Sequence, residues 1–194
     1  MEKPALAALD IGDPPERWRA LGFSVDDQDH IALGDVELRL GAAGEGITAW
    51  AVTGVDALTL VPLTAPPPAP RSESQPNGAT GIDHVVITTP DFDAAARALE
   101  EAGLPFRRVR RASPEIRQGF RRLGPAIMEV VEAPGSPGPA FWGLTVIVAD
   151  FERLRAHAGA QLSEVRPAVQ PGRKIATLSR AAGLCTRVAF MTPQ

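Results

Sequence analysis

Apolar and polar positions alternate over residues 82–89, where β-branched residues dominate, and the pattern predicts a half-buried strand. Pro90-Asp91 then opens a helix over 92–102, with an acidic cap before it and Gly103 just past its end. Residues 106–111, 116–123 and 126–133 read as three further strands joined by Ser-Pro and Gly-Pro turns. The predicted unit is βαβββ.

The same unit recurs 59 residues later. Asp91-Phe92 corresponds to Asp150-Phe151, Arg107 to Arg166, Ile116 to Ile175, Arg121 to Arg180, Gly124 to Gly183 and Pro134 to Pro193. The matched glycines fall at turns and the matched Asp-Phe pairs at helix starts, where backbone geometry and capping select those residue types.

Upstream, 6–11 reads as a strand and 14–21 as a helix capped by Asp13 and ended by Gly22, followed by strands at 23–25, 30–33 and 36–40. Segments 47–53 and 58–63 read as a hairpin turning at 54–57. This half is one complete unit plus a truncated one. Residues 64–81 are rich in Pro, Gly and Ser, so neither helix nor ladder persists there, and they read as a linker. The expected organisation is an N-terminal module with its hairpin over 1–63, the linker over 64–81, and paired modules at 82–134 and 140–194.

Composition narrows the function classes. At 194 residues and 44% hydrophobic the chain can bury a core, which excludes disorder throughout. With 20 basic and 23 acidic residues it has no global field to hold nucleic acid or an anionic membrane, and neither is an expected partner. The first residues lack an apolar leader and no run approaches the roughly 18 residues of a spanning helix, so the expected location is the cytoplasm. Cys185 is the lone cysteine, which excludes an intrachain disulfide; within the strand-like GLCTRVAF it reads as a small buried residue. A serine-nucleophile elbow, a phosphate loop ending in Lys-Ser or Lys-Thr, HExxH and a GxGxxG following a strand are all absent from the sequence.

A tandem pair of βαβββ units, with His in the first strand (IDHVVITTPD), an Asp-Phe helix start and Glu in the fourth strand (IMEVVEAP), resembles the vicinal oxygen chelate superfamily, which holds the glyoxalases, bleomycin-resistance proteins and extradiol dioxygenases. The resemblance covers 82–194 well and the N-terminal half loosely. It implies an α+β fold in which tandem βαβββ modules form a cup-shaped mixed β-sheet with helices on the outer face. It also implies a divalent metal held by His of the first strand and Glu of the fourth strand of each module. His84 and Glu129 occupy those positions in the first module; the 59-residue offset places Gly143 and Val188 in the second, and neither side chain can bind a metal. In the N-terminal half the first-strand positions are Leu6 and Ala49, and only Glu37 stands where a fourth-strand carboxylate could. His30 and His157 read as surface or packing residues.

Two readings follow. In the first, the protein binds a small organic, anionic ligand in the cup, with a degraded metal site and no cofactor. The alternative is an enzyme of lyase, isomerase or dioxygenase type, using either a metal on His84, Glu129 and Glu37 or His84 and Glu129 as acid and base. A structural module whose cup is filled by its own side chains is a third reading, and a homodimer follows by family analogy. Seven arginines crowd into 107–122 against Glu115 alone. They are read either as a forked anion site, with Arg107, Arg117 and Arg121 as ligand contacts and Trp142 as a pocket wall, or as a solvated sheet edge. Strand parity decides which arginines face the cup.

Overall fold

The computed structural model describes residues 3–67 and 73–194. Its larger sheet has eight strands: β5 (Ala79–Thr89), β6 (Arg108–Ser113), β7 (Ile116–Leu123), β8 (Ala126–Glu132), β9 (Ala140–Val148), β10 (Arg166–Pro167), β11 (Lys174–Thr177) and β12 (Arg187–Met191). Their order is β10-β11-β12-β9-β5-β8-β7-β6. The first strands of the two units, β5 and β9, run antiparallel at the centre, and each pairs in parallel with its own unit's last strand, β8 or β12. The two βαβββ units therefore lie side by side as one mixed sheet.

Alternation along these strands sends one set of side chains into the core. Val85, Ile87, Met128, Val130, Leu144, Val146, Val188 and Phe190 are buried on one face. Two helices cover that face, α2 (Phe92–Glu101) through Phe92, Ala95 and Leu99, and α3 (Phe151–Ala158) through Leu154 and Ala158. Burial of each of the larger apolar side chains among these is worth roughly 1.5–3 kcal/mol. Asp91 caps α2 by accepting from the Ala94 amide at 2.8 Å, and Asp150 caps α3 by accepting from the Glu152 amide at 2.8 Å. Gly103, at φ 74°, takes the left-handed turn that ends α2.

The N-terminal sheet holds β1 (Leu6–Ile11), β2 (His30–Leu33), β3 (Val36–Leu40) and β4 (Ile47–Val52) in the order β2-β3-β1-β4, with α1 (Pro15–Ala20) between β1 and β2. Three expectations are corrected here. Residues 23–25 form no strand, because Phe23 is drawn into the core against Trp18 (5.2 Å between centroids) and Phe190 (6.5 Å). Asp13 does not cap α1, which starts at Pro14-Pro15 with no side-chain cap. Its buried carboxylate instead accepts hydrogen bonds from the Cys185 and Thr186 amides at 2.6 and 3.1 Å. Finally, 58–63 does not fold back as a hairpin: Leu63 bridges Trp50 in parallel, the relation that first and last strands bear within each larger unit.

The two sheets share one hydrophobic core, in which Trp50 meets Phe141 at 5.6 Å. Residues just before β5 join them. Gln75 bonds the Ser24 amide and the Ala32 carbonyl, and Asn77 donates to the Leu21 carbonyl while accepting from the Ala79 amide. β5 consequently starts at Ala79, three residues inside the span read as linker, of which 68–72 lie outside the described residues. No helix among the described residues is long and apolar enough to cross a membrane.

Candidate functional site

Uninterrupted alternation would place Asp83 and His84 on opposite faces of β5. A bulge at Asp83 prevents this, since Ile82 pairs with Val146 and His84 with Thr145. The irregularity lets Asp83 Oδ2 approach His84 Nδ1 at 2.8 Å. Behind it, Arg173 Nη2 lies 2.6 Å from Asp83 Oδ1, and Arg173 Nε donates to the Thr192 carbonyl at 2.7 Å. Burial pushes the Asp83 carboxyl up, but its bonds to His84 and Arg173 outweigh that and hold it below its ordinary value. An ionised Asp83 accepts the Nδ1 proton of His84, so in the neutral ring Nε2 carries the lone pair. Thr145 Oγ1, on β9, stands 3.0 Å from that nitrogen as its donor.

Glu129 on β8 completes the group, with Oε2 at 3.9 Å from His84 Nε2. Its carboxyl is raised above the ordinary value by burial, against the opposing pull of His84 and Arg110. The structure thus brings His84 and Glu129 together on one wall of the cup. It also recruits Asp83, Thr145 and Arg173, which sequence reasoning missed. Asp83 gave no signal, because alternation would send it away from His84.

The second unit offers no matching donors. Gly143 pairs with Arg187 and Thr145 with Ala189, as His84 pairs with Ile127 and Val86 with Glu129. The position equivalent to Glu129 is therefore Ala189, not Val188, because the second unit has one more residue before its last strand. Val188 faces the core at 4% exposure. At Gly143 a Cβ would collide with the Arg187 carbonyl oxygen and lie 2.8 Å from the Arg187 Cβ, so the position is closed to any side chain. Glu37 is held in the N-terminal sheet by Arg39 at 2.8 Å, with His30 at 3.7 Å. Among the described residues no group of three His, Cys, Asp or Glu side chains is arranged to hold a metal ion. Two donors from one unit do not fit the chelated divalent metal that this kind of cup implies.

The arginines sort by parity, against the expectation. Arg117 points to the helix side, where it bonds Glu132 (2.8 Å) and Asp93 (2.7 Å) and lies over the Phe92 ring. Arg121 shares that side, with Nη1 donating to the Pro105 carbonyl at 3.4 Å. Arg107 is exposed just before β6. None of the three lines the cup's cavity. Trp142 does: it sits half exposed at a second bulge, where Val86 pairs with Gly143 and Ile87 with Phe141, and the Arg187 guanidinium lies 5.1 Å from its ring centre.

The cavity measures about 550 Å³, and its walls include His84, Trp142, Thr145, Leu184, Cys185 and Arg187. A hollow of that size counts against a cup filled by its own side chains. Cys185 is exposed, not buried as its apolar neighbours suggest, because β12 begins only at Arg187 and residue 185 lies in the turn that Asp13 holds. His157 is exposed on α3, with its ring lying against Gly22.

A family model described as the Glyoxalase/Bleomycin resistance protein/Dioxygenase superfamily matches residues 18–152, more than half of the chain. Among solved structures, methylmalonyl-CoA epimerase from Mycobacterium tuberculosis is 18% identical, with a TM-score of 0.48, over 60% of this chain and 90% of that one. A variant of the Streptomyces coelicolor methylmalonyl-CoA epimerase in complex with 2-nitronate-propionyl-CoA is 17% identical over 59% and 94%, with a TM-score of 0.47. A hypothetical protein from Bacillus halodurans is 18% identical over 58% and 94%, with a TM-score of 0.46. No curated protein sequence gives a match. With its paired βαβββ units and a model match across most of its length, the chain belongs to the glyoxalase, bleomycin-resistance protein and dioxygenase superfamily.

Proposed function

We propose that this protein binds a small organic ligand in the cup between its two units, at a site that works without a chelated metal. The carrying observation is the cavity of about 550 Å³ on whose wall an aromatic ring, Trp142, and polar groups of both units, His84, Thr145 and Arg187, converge. Apolar walls with a few fixed polar groups are how small-molecule sites combine affinity with orientation. Asp83 supports the reading, because it commits Nδ1 of His84 and so fixes the ring that, with Thr145 on its Nε2, forms a polar part of the cavity wall.

The test is a thermal-shift screen of small aromatic and anionic compounds, followed by titrations that read Trp142 fluorescence, with metal content measured on the same preparation. Compounds that raise the melting temperature should quench Trp142. Trp142→Ala should weaken their binding by about tenfold, and His84→Ala should weaken it more modestly. Stoichiometric divalent metal in the purified protein would overturn the metal-free reading.

A second reading rests on the His84 environment. A histidine whose tautomer is set by a carboxylate, with a buried Glu129 3.9 Å away, is equipped for proton transfer to or from a bound ligand. In that case His84→Ala abolishes turnover while leaving the unfolding midpoint near that of the parent protein. A ligand that binds and is recovered unchanged decides for binding alone.

A further inference from the structure

Strand pairing divides the arginines of the first unit into two populations. On the helix side they are answered: Arg117 by Glu132 and Asp93, Arg121 by a carbonyl, and Arg111 by the Pro114 carbonyl. On the opposite, cup-facing side, Arg108 stands across from Phe120, Arg110 from Gln118, and Arg122 from Ile127. None of these three forms an ion pair with a carboxylate among the described residues. The same rows continue into the candidate site, since Phe120 pairs with Glu129 and Ile127 with His84. Arg108 is therefore two strands from Glu129 and Arg122 two strands from His84, about 9–10 Å at ordinary strand spacing.

Arg110 is already positioned. Its Nε donates to Gln118 Oε1 at 2.8 Å and its guanidinium lies 5.1 Å from the centre of the Phe120 ring. Both contacts leave guanidinium N–H groups unspent, and stacking fixes the plane of the fork. Glu129 is the acid in the neighbouring row, and burial favours its neutral form, so it opposes an incoming anion less than an exposed carboxylate would. The cavity beside Trp142 carries both signs, Arg180 and Arg187 with Glu45. The arginines without an ion-paired carboxylate lie on the other half of the cup.

We propose that Arg108, Arg110 and Arg122 form an anion subsite on the cup-facing side of the first unit, which takes the doubly charged oxyanion end of the ligand, a phosphate or a dicarboxylate, with the remainder of the molecule reaching toward His84. This rests on the reading of the cup as a ligand site, and it moves the anion contacts from Arg107, Arg117 and Arg121 to the alternate residues. Three forked cations around one small dianion allow paired N–H···O contacts that a solvated edge would not need.

The experiment is a titration of the full chain with inorganic phosphate, and separately with succinate, at about 0.15 M salt so that exposed charges are screened. NMR of arginine Nε–H and histidine ring signals provides the readout. Saturable shifts at Arg108, Arg110, Arg122 and His84 are expected. The triple variant Arg108→Gln, Arg110→Gln, Arg122→Gln should raise Kd at least about tenfold for whichever anion binds, while the helix-side control Arg111→Gln leaves it unchanged. Phosphate binding without succinate binding assigns the subsite to phosphate esters, and the reverse assigns it to dicarboxylates. Equal shifts at Arg111 and Arg117, or unchanged binding by a triple variant that melts like the parent, would overturn the proposal. If aromatic compounds quench Trp142 but neither anion gives saturable shifts, the subsite fails and the cup reading stands. If the anions bind as described and no organic compound enters, the cup reading fails instead.

Discussion

The two units of the larger sheet share a fold and differ in their chemistry. Both have a first strand paired in parallel with the last, an Asp-capped helix, and a bulge near the middle of the sheet. The bulges occupy equivalent places, Asp83 in β5 and Trp142 in β9, and each turns a residue out of the alternation. In the first unit that residue is an acid anchoring His84; in the second it is a half-exposed aromatic on the cavity wall. Where the first unit has His84 and Glu129, the second has Gly143 and Ala189. The difference teaches that the core-facing set, Val85 and Ile87 against Leu144 and Val146, carries the architecture, while the cup-facing set can diverge without disturbing it.

The largest test of that contrast is Asp83→Ala. It leaves Arg173, whose side chain is 5% exposed, without its anion, and loss of about 3–5 kcal/mol is expected in denaturant unfolding. The pH dependence has a definite sign. The folded carboxyl titrates below its ordinary value of 3.8, so its support is complete above that pH and is lost as pH falls through the folded value. Asp83→Asn should therefore flatten the acid limb of the stability profile. Next in size, Gly143→Ala should cost about 1–3 kcal/mol, because the added methyl meets the Arg187 backbone and forces β9 and β12 apart. A neutral result there would mean the second unit could accept a ligand side chain, which would blunt the contrast.

Asp91→Ala and Asp150→Ala should each cost about 1 kcal/mol and by similar amounts, since the caps belong to what the units share. Unequal losses in melting experiments would show that the helices are not equivalent. The smallest effect is expected at Glu129→Gln. Burial raises the carboxyl above its ordinary value, so the folded state resists its ionisation and loses stability as pH rises through that region. The amide removes this cost, and the variant should melt slightly above the parent at neutral pH, with the gain vanishing in acid.

Much of the fold was legible in the residues. The helix starts at Asp91 and Asp150, the turns at Gly124 and Gly183 with φ of 64° and 74°, and the alternation of the strands are local features dictated by local physics. Elsewhere local signals were outcompeted. Asp13 precedes a helix and would cap it, but the backbone amides of residues 185 and 186 take its carboxylate instead. Residues 23–25 have strand character, yet Phe23 gains more by meeting Trp18 edge to face and stacking on Phe190 than by joining a ladder. The offset of 59 holds at the first strands and helix starts, but the pairing of the later strands departs from it: Ile175 stands where Gln118 does in the first unit, and Ala189, not Val188, where Glu129 does.

By itself the sequence determined the repeated βαβββ block, its capped helices, and the presence of one histidine and one glutamate at corresponding strand positions, because capping, turn geometry and alternation act over a few residues. Only the tertiary structure decided that Asp83 reaches His84, that Gly143 is sterically closed, and that Arg108, Arg110 and Arg122, not their neighbours, face the cup. Those outcomes depend on bulges and cross-strand pairing, and a shift of one residue in a period of two reverses the side on which every later side chain emerges.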